Sequence, residues 1–349
     1  MTNNLDSDIR FMQRCIDLAQ LGSGYVAPNP MVGAVIVLND EIIGEGYHQK
    51  YGEAHAEVNA INTVEDKSRL SEATIYVSLE PCAHHGKTPP CADLLVAHEF
   101  KRVVIGCVDS NELVAGKGIE RLQEAGIEVT VGVLEKECKS LNKRFFTYLN
   151  KQRPYIVLKW AQTQDGYIDR PREEEITERK INWISAPETQ SLVHHWRSQE
   201  PAILVGWKTV EHDNPSLTVR EVSGKNPLRV IIDSQLNMPQ DSTVYTDGDR
   251  TVIINKIKTE TIGNVELIKL NQINTKNILD VLYGLNISSV FVEGGSSTIQ
   301  HFLVDGYWDE ARVIVGQHTF GDGIKAPRMS GAPSRTYTFA GDTVHHYVK

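Results

Sequence analysis

A histidine and two cysteines, each in a distinctive local setting, restrict what this chain can fold into more than any other feature. His55 opens His55-Ala56-Glu57, Cys82 closes Glu80-Pro81-Cys82, and Cys91 ends the loop CAHHGKTPPC. Imidazole nitrogen and thiolate sulfur are good zinc ligands, and three of them leave a tetrahedral ion one open position for water, the catalytic arrangement. Glu57 supports that reading. A carboxylate two residues from a ligand has no structural purpose, whereas a hydrolytic zinc needs a group that takes a proton from water and passes it to a leaving amine. His55 and Glu57 are expected in the first turn of one helix. Cys82 and Cys91 should flank the start of a second, where the positive end of the helix dipole favours a thiolate. A structural zinc is the competing reading, with His84 or His85 as the fourth ligand.

The 349 residues suffice for two domains with separate cores. Thirty-six basic against 45 acidic residues give a formal charge of −9, with no lysine or arginine block along the chain. That argues against a nucleic-acid-coating protein, whose affinity comes from neutralising phosphates, but leaves room for an anionic small substrate. No run approaches the roughly 20 apolar residues of a membrane helix, and the polar start MTNNLDSDIR lacks a signal-peptide core. The five cysteines, at 15, 82, 91, 107 and 138, are odd in number and without secreted disulfide spacing. A cytoplasmic location and no membrane partner are expected.

The first stretch reads as a helix capped at Asp6 or Ser7, with Ile9, Met12, Ile16 and Ala19 on one face and Gly22 as its stop. Strands GAVIVL and IIGEGY follow, joined by a turn at Asn39-Asp40. Helices from His55 and within CADLLVAHEF then alternate with strands IYVSL and RVVIG. The helix IERLQEAG, the strand IEVTVGVL and one amphipathic helix, EKECKSLNKRFFTYL, complete this half. Such alternation predicts an α/β sandwich on a parallel or mixed sheet. The polar stretch LNKQRP, residues 149–154, reads as a linker, so that domains of 1–148 and 152–349 are expected. Beyond it come the strand YIVLKWA, a helix started by Ser185-Ala186-Pro187-Glu188 with Ser185 as cap, and the β-branched strands AILVG, LRVIID, TVIIN, VFVEGG and ARVIVG. Glu293-Gly294-Gly295 ends a strand and leads through Ser-Ser-Thr into an apolar run. This is either a tight turn or a helix start aimed at an anion.

The His, Glu and Pro-Cys pattern is that of zinc-dependent nucleobase deaminases, but eight residues separate the cysteines here where nucleic-acid deaminases have two. EPCAHHGKTPPC, together with APNPMVGAVIV, GEGYH, HAE and VAGKGIERLQEAGI, closely resembles the deaminase half of the bifunctional riboflavin-biosynthesis deaminase/reductase family. LKWAQTQDG, WISAPE, ILVGWKTVEHDNPSLTVR, NPLRVIIDS and VEGG resemble its reductase half, and the likeness covers nearly the whole chain in the same order. The resemblance implies an N-terminal cytidine-deaminase-like three-layer α/β/α domain followed by a dihydrofolate-reductase-like α/β domain. It also implies a small phosphoribosylaminopyrimidine substrate, zinc and NADPH as cofactors, and a homo-oligomer. The first domain would replace the 2-amino group of 2,5-diamino-6-(5-phosphoribosylamino)pyrimidin-4-one by oxygen, and the second would reduce the ribosyl group to ribityl.

By the same resemblance, His55, Cys82 and Cys91 hold the metal and Glu57 is catalytic, while Asn29, His84 and Lys87 bind the deaminase substrate. Ala161, Trp183, Thr209, Asp213, Ser234 and Gly295 would contact the nicotinamide cofactor, and Lys159, Arg197, Leu217, Arg220 and Glu293 the reductase substrate. Guanidinium groups suit the phosphate because they bind its oxygens bidentately. Two departures stand out. The charged stretch RPREEEITERK is longer than the family pattern, and Ile181 replaces a substrate-binding serine, a loss that neighbouring Asn182 could offset. A single-activity zinc deaminase with a non-catalytic second domain, and a structural zinc module fused to a binding domain, are the alternatives; Glu57 weighs against the latter.

Overall fold

The computed structural model describes residues 2–83, 89–109, 115–172, 179 and 181–349. It divides into two compact units, Met1–Gln152 and Arg153–Lys349. The first unit runs α1 (Thr2–Gln20), β1 (Gly33–Leu38), β2 (Glu41–Tyr47), α2 (Ala56–Thr63), β3 (Thr74–Leu79), α3 (Cys91–Ala97), β4 (Arg102–Cys107), α4 (Lys117–Glu124), β5 (Glu128–Val131), α5 (Glu135–Leu141) and α6 (Lys143–Lys151). Its sheet has the order β2-β1-β3-β4-β5. The β1–β2 and β1–β3 pairs are antiparallel, and the β3–β4 and β4–β5 pairs parallel. Asn39 and Asp40, at the tip of the first hairpin, have φ of 53° and 69°, as a two-residue I′ turn requires.

Every residue of β1 is buried, because both faces of the sheet are covered. Ala34 and Ile36 pack with Ala60, Ile61, Leu95 and Leu122 from α2, α3 and α4. Val35 and Val37, pointing the other way by the period of two, pack with Met12, Cys15 and Ile16 of α1 and Cys138 of α5. The result is the expected three-layer α/β/α sandwich. Gly33 lets α1 lie close to the sheet, since a Cβ there would sit 2.0 Å from the Cys15 carbonyl oxygen.

Five local expectations in this unit are corrected. α1 begins at Thr2, before the proposed cap. Ile9 is exposed, and the buried position one turn before Met12 is Asp8. Its carboxylate accepts two bonds from Arg102 at 2.8 Å and one from the Tyr76 hydroxyl at 2.8 Å; a pairing with the sheet lets a charge sit where the helical pattern calls for an apolar side chain. The single amphipathic helix EKECKSLNKRFFTYL is two helices broken at Asn142, whose side-chain amide accepts from Met31 N–H and donates to Met31 O. The polar stretch 149–154 is helical as far as Lys151 and turns at Gln152, which has φ of 50°. Finally, the strand expected over IEVTVGVL is only Glu128–Val131.

The second unit runs β6 (Tyr155–Gln162), β7 (Tyr167–Asp169), α7 (Pro187–Ser198), β8 (Ala202–Gly206), α8 (Trp207–Asp213), β9 (Leu228–Ile232), α9 (Thr243–Thr246), β10 (Thr251–Asn255), β11 (Glu260–Ile262), β12 (Val265–Lys269), α10 (Thr275–Gly284), β13 (Ser289–Gly294), α11 (Ser296–Val304), β14 (Glu310–Val315), β15 (Ile324–Lys325), β16 (Arg335–Phe339) and β17 (Asp342–Val348). Its main sheet has the order β11-β12-β10-β9-β8-β13-β6-β14-β17-β16. The run from β12 to β14 is parallel throughout, with antiparallel strands added at each edge. Ile156, Leu158, Val290 and Val292 face Ile278 and Leu282 of α10 and Ile299 and Phe302 of α11. Their alternates Val157 and Phe291 face Val193 and Trp196 of α7. Burial on both faces explains the uninterrupted apolar strands of this half.

Here the cap of α7 is Ala186, not Ser185, with Pro187 in the first turn. Asp342 takes over the capping role from a distance, accepting from Ala186 N–H at 2.8 Å and from the Thr189 hydroxyl at 2.7 Å.

Candidate active sites

In the first unit, two helix starts bring the candidate metal ligands together. His55 is the N-cap of α2, Glu57 lies in its first turn, and Cys91 is the first residue of α3. His55 Nδ1 is 3.3 Å from Cys91 Sγ and 3.7 Å from Cys82 Sγ, and the Cys91 backbone N–H donates to Cys82 Sγ at 3.3 Å. Ligand bonds of about 2.0–2.3 Å around a tetrahedral zinc separate the donor atoms by roughly 3.5–3.8 Å, so the trio fits that ion as it stands. Among the described residues it is the one group of metal-ligating side chains so gathered. The Cys82 thiol is pushed down to about 4, first by the hydrogen bond with Cys91 and then by His55, while Cys91 is pushed far up by the same shared contact and by burial. A cation between them would let both adjacent thiols ionise.

Glu57 is buried and stands at about 6, raised first by burial and then by the nearby Cys82 charge. Asn29 donates from Nδ2 to His48 Nε2 at 3.3 Å, and His48 Nδ1 in turn faces the Ala54 carbonyl at 3.0 Å. With Nδ2 so engaged, Asn29 Oδ1 is an acceptor. His84 and Lys87 lie outside the described residues. Two contributors carried no assigned role in the sequence. One is His48, in GEGYH. The other is Glu80, whose buried carboxylate accepts from the N–H groups of Gly118 at 3.0 Å, Gly116 at 3.1 Å and Asp109 at 3.2 Å. Glu80 thus ties the start of α4 to the Pro81-Cys82 segment, and Gly118 permits the approach, since a Cβ there would be 2.1 Å from Pro81 O. A buried carboxylate flanking a ligand was the available signal.

In the second unit a cavity of about 1080 Å³ opens where the parallel strands end, the usual ligand position in such sheets. Ala161, Trp183, Thr209, Asp213, Ser234 and Gly295 all line it. So do Lys159, Arg197, Leu217, Arg220 and Glu293. Arg197 and Glu293 form a buried bidentate pair with N···O distances of 3.0 Å. Burial works to raise the Glu293 carboxylate, but Arg197 and then Lys159 more than reverse it and hold it below its ordinary value. Half-buried Lys159 is lowered, by desolvation first. Asp213 is pushed up to about 6 by burial against the opposing charge of Arg172, which bonds it at 3.0 Å. The Gly295 N-cap of α11 is the helix start read from the sequence.

The two departures look different in three dimensions. From the charged stretch, Arg172 reaches into the cavity wall and also binds Asp169 at 2.8 Å, while residues 173–178 and 180 lie outside the described residues. Ile181 does line the cavity. Asn182, the expected substitute for a missing hydroxyl, instead donates its amide to Asp169 at 2.6 Å, because that carboxylate lies beside it and a charge-assisted bond is the stronger one.

A hydrolytic zinc site in an α/β/α unit and a phosphate-suited cavity in a parallel α/β unit define a deaminase joined to a nucleotide-dependent reductase. Residues 5–107 match the family described as cytidine and deoxycytidylate deaminase zinc-binding region, and residues 154–340 match the RibD C-terminal domain. The riboflavin biosynthesis protein RibD of Aquifex aeolicus is 42% identical over 324 residues, covering 91% of this chain and 89% of its own length. That of Escherichia coli is 35% identical over 359 residues, covering 94% and 90%. The solved diaminohydroxyphosphoribosylaminopyrimidine deaminase/5-amino-6-(5-phosphoribosylamino)uracil reductase of Thermotoga maritima superposes with a TM-score of 0.89 at 37% identity, covering 98% of this chain and 99% of that one. The chain belongs to the RibD family, the bifunctional deaminase/reductases of riboflavin biosynthesis. A single-activity deaminase with an inert second domain is therefore not favoured.

Proposed function

We propose that this chain releases ammonia from 2,5-diamino-6-(5-phosphoribosylamino)pyrimidin-4-one in its first domain, residues 1–148, and reduces the resulting 5-amino-6-(5-phosphoribosylamino)uracil in its second, residues 152–349. The observation that carries the reading is the convergence of His55, Cys82 and Cys91 beside a buried Glu57. When bound, zinc polarises the attacking water at the first site and NADPH brings the hydride to the second.

The residues have these parts. Glu57 takes a proton from water and returns it to the departing amino nitrogen, a task suited to a carboxyl raised to about 6. Asn29 presents its amide oxygen to the pyrimidine, with His84 and Lys87 completing substrate binding. In the reductase, Ala161, Trp183, Thr209, Asp213, Ser234 and Gly295 hold the cofactor. Arg220 anchors the phosphate, Leu217 and the Arg197–Glu293 pair shape the pocket around the sugar, and Lys159 Nζ supplies a proton to the carbonyl oxygen of the opened ribosyl chain. The free cysteines fit a reducing cytoplasm, no helix among the described residues is long and apolar enough to cross a membrane, and a homo-oligomer is the working assembly.

Zinc analysis of the purified protein, with ammonia release and NADPH oxidation followed on the diaminopyrimidine ribotide, tests the whole reading. Zinc-dependent ammonia release followed by NADPH consumption is expected. Ammonia without NADPH consumption would leave only the deaminase.

A further inference from the structure

The segment that carries Leu217 and Arg220 is not a regular element, and its backbone does not hold itself. Asn214 has φ of 43° and Leu217 φ of 56°, the left-handed region that non-glycine residues occupy only when their surroundings fix them. Within the segment the ties are short-range: Ser216 Oγ to Thr218 Oγ1 at 3.0 Å, and the Arg220 guanidinium onto Thr218 Oγ1 at 3.1 Å and onto Ser216 Oγ. Asn226 accepts from Val219 N–H at 2.9 Å. From other elements, Arg229 Nη1 donates to Ser216 O at 3.3 Å and Asn214 Oδ1 accepts from Thr243 N–H at 2.8 Å, while Thr218 and Arg220 are held from α7. Arg197 Nη1 donates to Thr218 O at 2.5 Å, and His194, one turn earlier on the same helix face, accepts from the backbone N–H of Arg220 at its Nδ1, 3.1 Å away.

We infer that His194 is a positioning residue of the reductase: through Nδ1 it fixes the backbone of Arg220, and so the placement of Arg220 on the cavity wall. This rests on the reading of that cavity as the phosphoribosyl-substrate site. His194 is buried and lines the cavity beside Arg197. An imidazolium has no lone pair at Nδ1 with which to accept the Arg220 N–H. Burial first, and then the guanidinium charges of Arg197 and Arg220, hold the ring down to about 4, so it is neutral at physiological pH with its proton on Nε2. Glu293 and Glu221 act in the opposite direction and do not reverse this.

The contrast between two amides tests the assignment in the full-length, zinc-loaded enzyme. Asparagine places its Oδ1 at the same bond count from Cβ as Nδ1, whereas the glutamine amide reaches the position of Nε2. NADPH oxidation with already deaminated ribotide is expected to keep its substrate KM within about twofold in His194→Asn. In His194→Gln and His194→Ala the substrate KM should rise about tenfold, the loss of one well-placed hydrogen bond. The KM for NADPH and the rate of ammonia release at the first site should hold in all three. If the alanine variant does not fold, the Asn and Gln pair still decides. Equal substrate KM in those two variants, or a fall in kcat at unchanged KM, overturns the positioning role. A wild-type enzyme that oxidises no NADPH with this substrate would instead overturn the reductase reading itself.

Discussion

The two sites of this chain are built on opposite plans. The candidate zinc ligands come from three short words of sequence, HAE, EPC and the closing cysteine of CAHHGKTPPC, and they meet within hydrogen-bond distances. The reductase cavity gathers residues from many elements, from Lys159 of β6 to Ile324 of β15, among them α7, α8, α10, α11 and β13. Metal coordination demands particular donor atoms at about 2 Å, so it leaves compact and specific motifs. A large organic ligand is held by shape and by a few polar groups, and many backbones can offer those. The first plan makes each residue indispensable; the second spreads the loss.

The sharpest test of this contrast is Glu57→Gln. The amide keeps the shape and loses the proton relay, so deamination should fall by about 10³-fold or more, while metal analysis still finds zinc and NADPH oxidation of deaminated substrate continues. Normal ammonia release from that variant would make the metal structural and erase the distinction. Next in size, Cys82→Ser or Cys91→Ser should each lose most of the zinc, because a serine hydroxyl is a far poorer ligand than thiolate. Metal content together with ammonia release measures it, and reduction should again survive.

Cutting the chain between Gln152 and Arg153, where α6 has ended, should give a first fragment that binds zinc and releases ammonia without NADPH. The second should oxidise NADPH only with the deaminated ribotide, and a folded second fragment without that activity would contradict two independent plans. Smaller is the effect of Arg220→Ala, for which about a tenfold rise in substrate KM is expected, since it removes the guanidinium proposed to anchor the phosphate and leaves the rest of the wall.

Smallest is Arg172→Ala. Burial already raises Asp213 to about 6 against the opposing pull of Arg172. Removing the cation raises it further, so the ionised carboxylate is lost at higher pH. The acid limb of the KM profile for NADPH should move upward in pH, and an unmoved limb would separate Asp213 from cofactor binding.

Several features were legible before any fold was known because their causes are local. Apolar, β-branched runs bounded by turns gave most strands of both sheets, and Asn39-Asp40 marked a hairpin that its left-handed backbone requires. Thiolate, imidazole and carboxylate chemistry marked the zinc site without reference to any neighbour. What failed locally failed where a distant partner took over. Asp8 replaces an apolar residue because Arg102 and Tyr76 of the sheet meet it. The break between α5 and α6 falls at Asn142 because its amide serves Met31. Asp342 does the capping that Ser185 was expected to do.

The same division holds at the sites. The sequence by itself determined the chemistry available, through the identity and spacing of His55, Glu57, Cys82 and Cys91, since donor atoms belong to residue types. Only the tertiary structure decided which groups support them. His48 behind Asn29, Glu80 under the α4 start, Arg172 on Asp213 and His194 on the Arg220 backbone are contacts between elements remote in sequence. A hydrogen bond is set by distance and direction in space, and neither is written in the order of the residues until the sheets and helices bring them together.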